Sequence, residues 1–331
     1  MNRPELKGHL RDDNENPASP FPPDQGRPGW QGLLQALSVL GGNVPFPPFF
    51  PEAGPGASSA EVKDQRGRAS VNFVSPTPAI QCECREHILR ITINRMEKMN
   101  ALSVAMYDAF ASAILAAEGD PEVRVILIEG AGGCFTSGND LHDFATSPPA
   151  GEESPVFRFL QAISGAQKPI VAAVLGPAVG IGTTMLLHCD LVCAGAGARF
   201  ELPFVNLGLC PEAAASLLLP QLAGHQRAAE LLLLGDPFSA GRAREIGLVN
   251  SILPDGEVLQ QAWATAQKLA QKPPASVRLT KALLKRGSQR AVAETIAEEG
   301  RHFLQRLSSP EAQEAFAAFF EKRKPDFSGF A

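Results

Sequence analysis

The feature that most narrows the possible folds is a set of short, wholly apolar runs recurring between longer helical patterns. Val125-Ile126-Leu127-Ile128 and Ile170–Val174 are rich in Val and Ile and bounded by turn residues. A strand that is apolar on both faces must be covered on both, as in a parallel sheet clad by helices. The intervening segments supply such helices. Ser103 can N-cap a run in which Tyr107, Phe110 and Ile114 share one face and which closes at Gly119. Ile80–Cys84 and Ile88–Ile93 read as a hairpin around Arg85-Glu86-His87, Gly182–His188 as a buried helix, and Leu191–Cys193 and Val249–Leu253 as further short strands. Beyond Gly256 the pattern is helical, over Val258–Gln271, Ala275–Lys285, Val292–Leu307 and a last helix starting near Pro310. The fold class is α/β with a C-terminal helical region.

Composition changes near residue 79, and of the 28 prolines 13 fall in residues 1–78. Proline removes backbone donors and fixes φ, so this Pro-rich leader favours extended or disordered chain. One island differs, because Trp30, Leu33, Leu34, Leu37 and Leu40 recur at helical spacing. The formal net charge of −5 comes without any Lys/Arg-rich block, so nothing points to nucleic acid or an anionic membrane surface as a partner. No apolar run approaches the roughly 18 residues of a membrane span. The first 30 residues carry five acids, unlike a secretory signal. The six cysteines and six histidines show no metal-ligand spacing. The expectation is no metal, buried inert thiols and a reducing, cytoplasmic location.

Two glycine-containing turns stand out, Cys134–Leu141 and Gly176–Gly182, each leading from a strand toward a helix. Such turns expose backbone N–H groups suited to an anion or a developing oxyanion. The second lacks the third glycine of a dinucleotide fingerprint, no Walker lysine follows, and no G-x-S-x-G elbow supports a serine hydrolase. His188, in an apolar run, reads as a satisfied core imidazole. Glu212 is a lone carboxylate among the small and apolar residues of Leu207–Ala215. Desolvation there would raise its pKa toward that of a useful base. Its place after Pro211 equally fits an acid in the first turn of a helix, favoured by the dipole and needing no catalytic role.

Taken in order, these segments resemble the crotonase (enoyl-CoA hydratase/isomerase) family over nearly all of residues 79–331. Asn94-Arg95-Met96-Glu97-Lys98-Met99-Asn100-Ala101-Leu102 is similar to its N-R-x-x-x-x-N-A-L segment, and Phe135-Thr136-Ser137-Gly138-Asn139-Asp140-Leu141 to its F-x-x-G-x-D-[IL] loop. Pro169–Val174 then leads into Gly176–Gly182 and Cys189-Asp190, Leu232–Gly235 into Ser239-Ala240, and Gly247-Leu248-Val249-Asn250 and Phe319–Pro325 follow. The resemblance implies a spiral of ββα units over residues 79–278 and a C-terminal helical trimerisation region over 279–331, giving a homotrimer or a dimer of trimers.

The implied substrate is an acyl-CoA thioester, as in fatty acid metabolism, with no separate cofactor because coenzyme A enters as part of the substrate. The resemblance assigns an oxyanion hole to the backbone N–H groups of Asn139 and Ile181. It assigns coenzyme A binding to Ser137, Gly138, Asn139, Asp140, Leu141 and Gly180, with Arg95 or Lys98, and Lys322 or Lys324, near the phosphates. The two positions where a hydratase carries its acids hold Thr184 and Phe204 here, the latter an expected part of an apolar wall. Glu212 falls where double-bond-shifting members carry their single glutamate, so the chain looks most like the Δ3,Δ2-enoyl-CoA isomerases. Alternatives are another crotonase reaction (hydratase, thioesterase or decarboxylase), with Glu201 the nearest spare acid, or a non-catalytic acyl-CoA-binding or interaction subunit.

Overall fold

The computed structural model describes residues 61–63, 69–71, 75, 77–146, 151 and 153–330. Most of the leader, with the Trp30 to Leu40 pattern, lies outside the described residues. Within the leader, β1 (Glu61–Lys63) and β2 (Ala69–Val71) pair antiparallel.

The hairpin expected around Arg85-Glu86-His87 is present as β3 (Ile80–Arg85) and β4 (Ile88–Ile93), with Glu86 and His87 at positive φ in its turn. Next come β5 (Val125–Gly130), β6 (Ile170–Val174), β7 (Pro177–Val179), β8 (Leu191–Gly195), β9 (Arg199–Glu201), β10 (Phe238–Ser239) and β11 (Ser251–Leu253). The main sheet has the order β11-β8-β6-β5-β4-β3, parallel except for the β3–β4 hairpin. A second sheet, β10-β9-β7, is too short-stranded to leave a periodic trace in the sequence.

The pleat divides β5 between two cores. Val125 and Leu127 join Val171, Ala173 and Cys193 beneath helix Val258–Ala270, whose Val258, Ala262, Ala266 and Ala270 recur every four residues. Ile126 and Ile128 face the larger core on the other side. There helix Val104–Gly119, capped by the Ser103 hydroxyl accepting from Met106 N, meets helix Pro155–Gly165. The Phe159 ring lies 5.4 Å from that of Tyr107 and 5.0 Å from that of Phe110.

The structure corrects three expectations. The segment Gly182–His188 is not one helix but an α turn, Ile181–Thr184, followed by a 3-10 turn, Met185–His188. Helices Gln289–Leu307 and Pro310–Glu321 are not set apart from the body, because Phe303 and Phe316 are buried in the large core of their own chain, leaving Phe319 and Phe320 exposed. All six thiols are free, yet only Cys193 is buried and Cys84 is exposed. No helix among the described residues is long and apolar enough to cross a membrane, and no His/Cys/Asp/Glu cluster suited to a metal occurs among them.

Candidate active site

The first glycine turn is held by residues far away in the chain. Asn100, fully buried with φ near 58°, accepts from Arg95 N at 2.8 Å and donates through Nδ2 to the carbonyls of Ala131 (3.0 Å) and Cys134 (2.6 Å). Thr136 pairs with the second turn, donating its N–H to Pro177 and accepting from Val179 N. Gly138 has φ 92°, and a Cβ there would lie 2.8 Å from the Val179 carbonyl oxygen. Only glycine fits that approach without displacing the backbone.

Asp140 starts helix Leu141–Thr146, accepting from the N–H groups of His142 and Asp143, while its other oxygen takes Arg95 Nη1 at 2.7 Å. Burial pushes the Asp140 carboxyl up, but the Arg95 hydrogen bond and charge together with those N–H groups outweigh it and hold it below the ordinary range. The N–H groups of Asn139 and Ile181, by contrast, donate to no acceptor among the described residues. The Asn139 side chain is oriented from behind, because the fully buried Tyr107 hydroxyl donates to its Oδ1.

Glu212 does not lie in the first turn of a helix, as its place after proline had suggested. The next helix begins at Ala215, and Ala213 and Ala214 intervene in the left-handed region with φ of 60° and 57°. This turn directs the carboxylate into a narrow cavity lined by Phe144, Val156, Phe157, Leu160, Ile296 and Phe303, with Gly300 and Leu304 completing the wall. Glu212 is 5% exposed and its Oε1 meets no hydrogen-bond partner among the described residues. Burial, and secondarily the charge of Glu299, push its pKa from 4.5 up to about 8. Burial also pushes the Tyr107 hydroxyl up, with the Glu212 charge adding to it, which ties the base electrostatically to the residue that orients Asn139.

Of the other residues expected at the site, Lys98 is exposed, whereas Arg95 is committed to Asp140 and to the Ala101 carbonyl. Ser137, beside Gly138, donates its hydroxyl to the Lys98 carbonyl. Phe204 is buried in the large core and does not line the cavity, and Thr184 is fully buried with its hydroxyl unpartnered among the described residues. Glu201 is half-buried and its pKa is raised by burial and by Asp236, away from the cavity lining. His188 is the satisfied core imidazole expected, its Nε2 2.8 Å from the Ala213 carbonyl oxygen, and burial pushes its pKa down to about 4. Sequence reasoning placed Tyr107 on a helix face and Asn100 in the N-R-x-x-x-x-N-A-L segment without giving either a role at the site. It passed over Glu299, which has no local signature, and helix Pro155–Gly165, whose Val156, Phe157, Phe159, Leu160 and Ile163 do repeat at helical spacing.

A hydrocarbon-lined cavity with a single ionisable group on its wall, set on a mostly parallel sheet, fits an α/β enzyme that works on an apolar substrate. The family model described as Enoyl-CoA hydratase/isomerase matches residues 83–329, and the chain belongs to that family. Over 273 residues the chain is 32% identical to Enoyl-CoA delta isomerase 2 of Homo sapiens, covering 80% of this chain and 68% of that one. Over 246 residues it is 32% identical to 2,3-dehydroadipyl-CoA hydratase of Escherichia coli (strain K12), covering 74% and 96% respectively. The solved structure of OdaA from Pseudomonas aeruginosa matches with a TM-score of 0.72 at 48% identity, over 73% of this chain and 99% of that one. The protein is an enzyme of the hydratase/isomerase family, and relatives of both kinds stand beside it.

Proposed function

We propose that this protein is an enoyl-CoA isomerase of the Δ3,Δ2 type, moving a double bond along an acyl-CoA thioester with Glu212 as its single base. The observation that carries this reading is the solitary Glu212 carboxylate in an apolar cavity, without a hydrogen-bond partner among the described residues and with its pKa pushed up to about 8. A base poised near neutrality can take a weakly acidic proton and give it back.

In this mechanism Glu212 removes a proton from C2 of a 3-enoyl thioester. The C2–H electron pair forms a C1–C2 double bond as the carbonyl π pair moves onto the thioester oxygen, so the dienolate keeps its C3–C4 double bond and its charge faces the Asn139 and Ile181 N–H groups. On return, the oxygen pair re-forms the carbonyl, the C1–C2 pair moves to C2–C3 and the C3–C4 pair takes the proton at C4. Protonated Glu212 then delivers the same proton to C4, restoring the base and leaving the conjugated 2-enoyl thioester. No water is consumed, and the hydrocarbon wall excludes it from the intermediate. Coenzyme A would lie along the backbone of residues 137–141 and Gly180 with exposed Lys98 near its phosphates, while Arg95 keeps the loop in register through Asp140. Exposed Phe319 and Phe320, with Leu283 and Leu284 of helix Pro274–Lys285, support assembly as a homotrimer or a dimer of trimers. The free thiols support a reducing, cytoplasmic setting.

The test is turnover of trans-3-hexenoyl-CoA, followed by absorbance of the conjugated product, against hydration of 2-hexenoyl-CoA. Glu212→Gln should lower isomerisation by about 10²–10⁴-fold, since the amide has nearly the same shape but cannot accept the C2 proton. Thr184→Ala should leave turnover intact. Retention of most activity in Glu212→Gln, or faster hydration than isomerisation in the wild type, would replace this reading with a hydratase or another crotonase reaction.

A further inference from the structure

Two consecutive alanines in the left-handed region are costly, at about 1–2 kcal/mol each, and persist only where the surroundings enforce them. Ala213 and Ala214 are such a pair, and they lie immediately beside Glu212. Two buried side chains hold them from different elements. His188 Nε2 sits 2.8 Å from the Ala213 carbonyl, which fixes the neutral imidazole as donor. Glu299, on helix Gln289–Leu307 and 7% exposed, accepts from Ala214 N at 2.6 Å, from Ser216 N at 2.8 Å and from the Ser216 hydroxyl.

The Ala214 and Ser216 N–H groups can only donate and the Ser216 hydroxyl can do so as well, which favours the carboxylate form against the burial that pushes the Glu299 pKa up. The same helix contributes Ile296, Gly300, Phe303 and Leu304 to the cavity, so Glu299 joins the substrate wall to the turn that carries the base. The isomerase mechanism itself makes no use of Glu299.

We propose that Glu299 is a positioning residue for Glu212: it locks the Ala213–Ala214 turn that directs the base into the cavity and places a second negative charge behind it. This rests on the reading of Glu212 as the base. A like charge nearby disfavours the ionised form, so Glu299 keeps Glu212 a stronger base than burial alone would make it. Glu212 is faced by Glu299 from helix Gln289–Leu307 and by the Tyr107 hydroxyl from helix Val104–Gly119. Glu299 is faced by Ser216 and the Ala214 N–H, by Glu298 on its own helix, and by Cys210, itself near Arg306.

The experiment is the pH profile of kcat/KM for trans-3-hexenoyl-CoA between pH 5.5 and 10, using the full chain. In Glu299→Gln the acid limb should move down by about one pH unit, the low end of what a neighbouring charge produces. At the same time kcat should fall about 10-fold from the loosened turn, with KM within about twofold of wild type. Glu299→Asp keeps the charge and shortens the reach, so it should lower kcat with the acid limb in place. A merely structural role would lower activity without moving the limb, and an unmoved limb in folded Glu299→Gln overturns the proposal. If that variant does not accumulate as folded protein, Ser216→Ala decides. It removes one donor to the charged form of Glu299 and should move the limb in the same direction by less, and an unmoved limb there is equally decisive against the proposal. Glu212→Gln is run alongside. Activity retained in that variant sinks the assignment of the base, whereas a dead Glu212→Gln with an unmoved Glu299→Gln limb sinks only the role of Glu299.

Discussion

Replacing Glu212 by glutamine should change the stability of the protein as well as its activity, and in a pH-dependent way. Folding raises the Glu212 pKa from 4.5 to about 8. For a group whose folded pKa is raised, the stability associated with its neutral form is fully present below the unfolded pKa and is lost as pH rises through the folded one. The window here is pH 4.5 to 8. At about 1.4 kcal/mol per pH unit, linkage gives a loss of about 3 kcal/mol between pH 5.5 and 8. Glutamine does not titrate, so the variant escapes this loss, and relief of the repulsion felt by Glu299 acts in the same direction. The assay is urea unfolding of wild type and Glu212→Gln at several pH values and one fixed protein concentration, because assembly couples to stability. His188 and the remaining carboxylates titrate in both proteins and cancel in the difference to first order. The stability advantage of the variant should widen by about 3 kcal/mol from pH 5.5 to 8. Parallel curves would refute the reasoning, because they would mean that Glu212 is not held in a desolvated, unpartnered state.

The other predictions test the walls and supports of the site. Tyr107→Phe removes the one hydrogen bond to Asn139 Oδ1 among the described residues, and should cost about 1–3 kcal/mol in urea unfolding and lower kcat more than it alters KM. Lys98→Ala should raise KM for acyl-CoA with kcat unchanged, since a phosphate contact remote from the reacting carbons is made equally in ground and transition states; a purely kcat effect in steady-state kinetics would count against it. A Cβ at Gly300 would overlap the Phe157 ring on the cavity wall, so Gly300→Ala should cost about 1–3 kcal/mol by overpacking. In a chain-length series, the same substitution should lower kcat/KM for long acyl chains more than for short ones, and an unchanged length preference would show that the hydrocarbon tail lies elsewhere.

The α/β class, the β3–β4 hairpin, the Ser103 cap and the run of C-terminal helices were legible in the sequence because each depends on local patterning: apolar runs, turn residues, capping side chains and helical spacing. Glu212 was legible as a lone acid among small residues, but its environment was not. Ala213 and Ala214 carry no local sign of left-handed backbone, since alanine alone favours the helix that the sequence suggested there. That turn is imposed by Glu299, 85 residues beyond Ala214, and by His188, 25 residues before Ala213. Asn139 is likewise oriented by Tyr107, 32 residues away, and Asp140 is claimed by Arg95 across 45. Helices Pro155–Gly165 and Gln289–Leu307, together with Phe144, close the cavity that desolvates the base. Residue identity and spacing could nominate the carboxylate, but the strength of a base depends on which groups surround it and how much water they exclude, and only the packing of distant segments decides that.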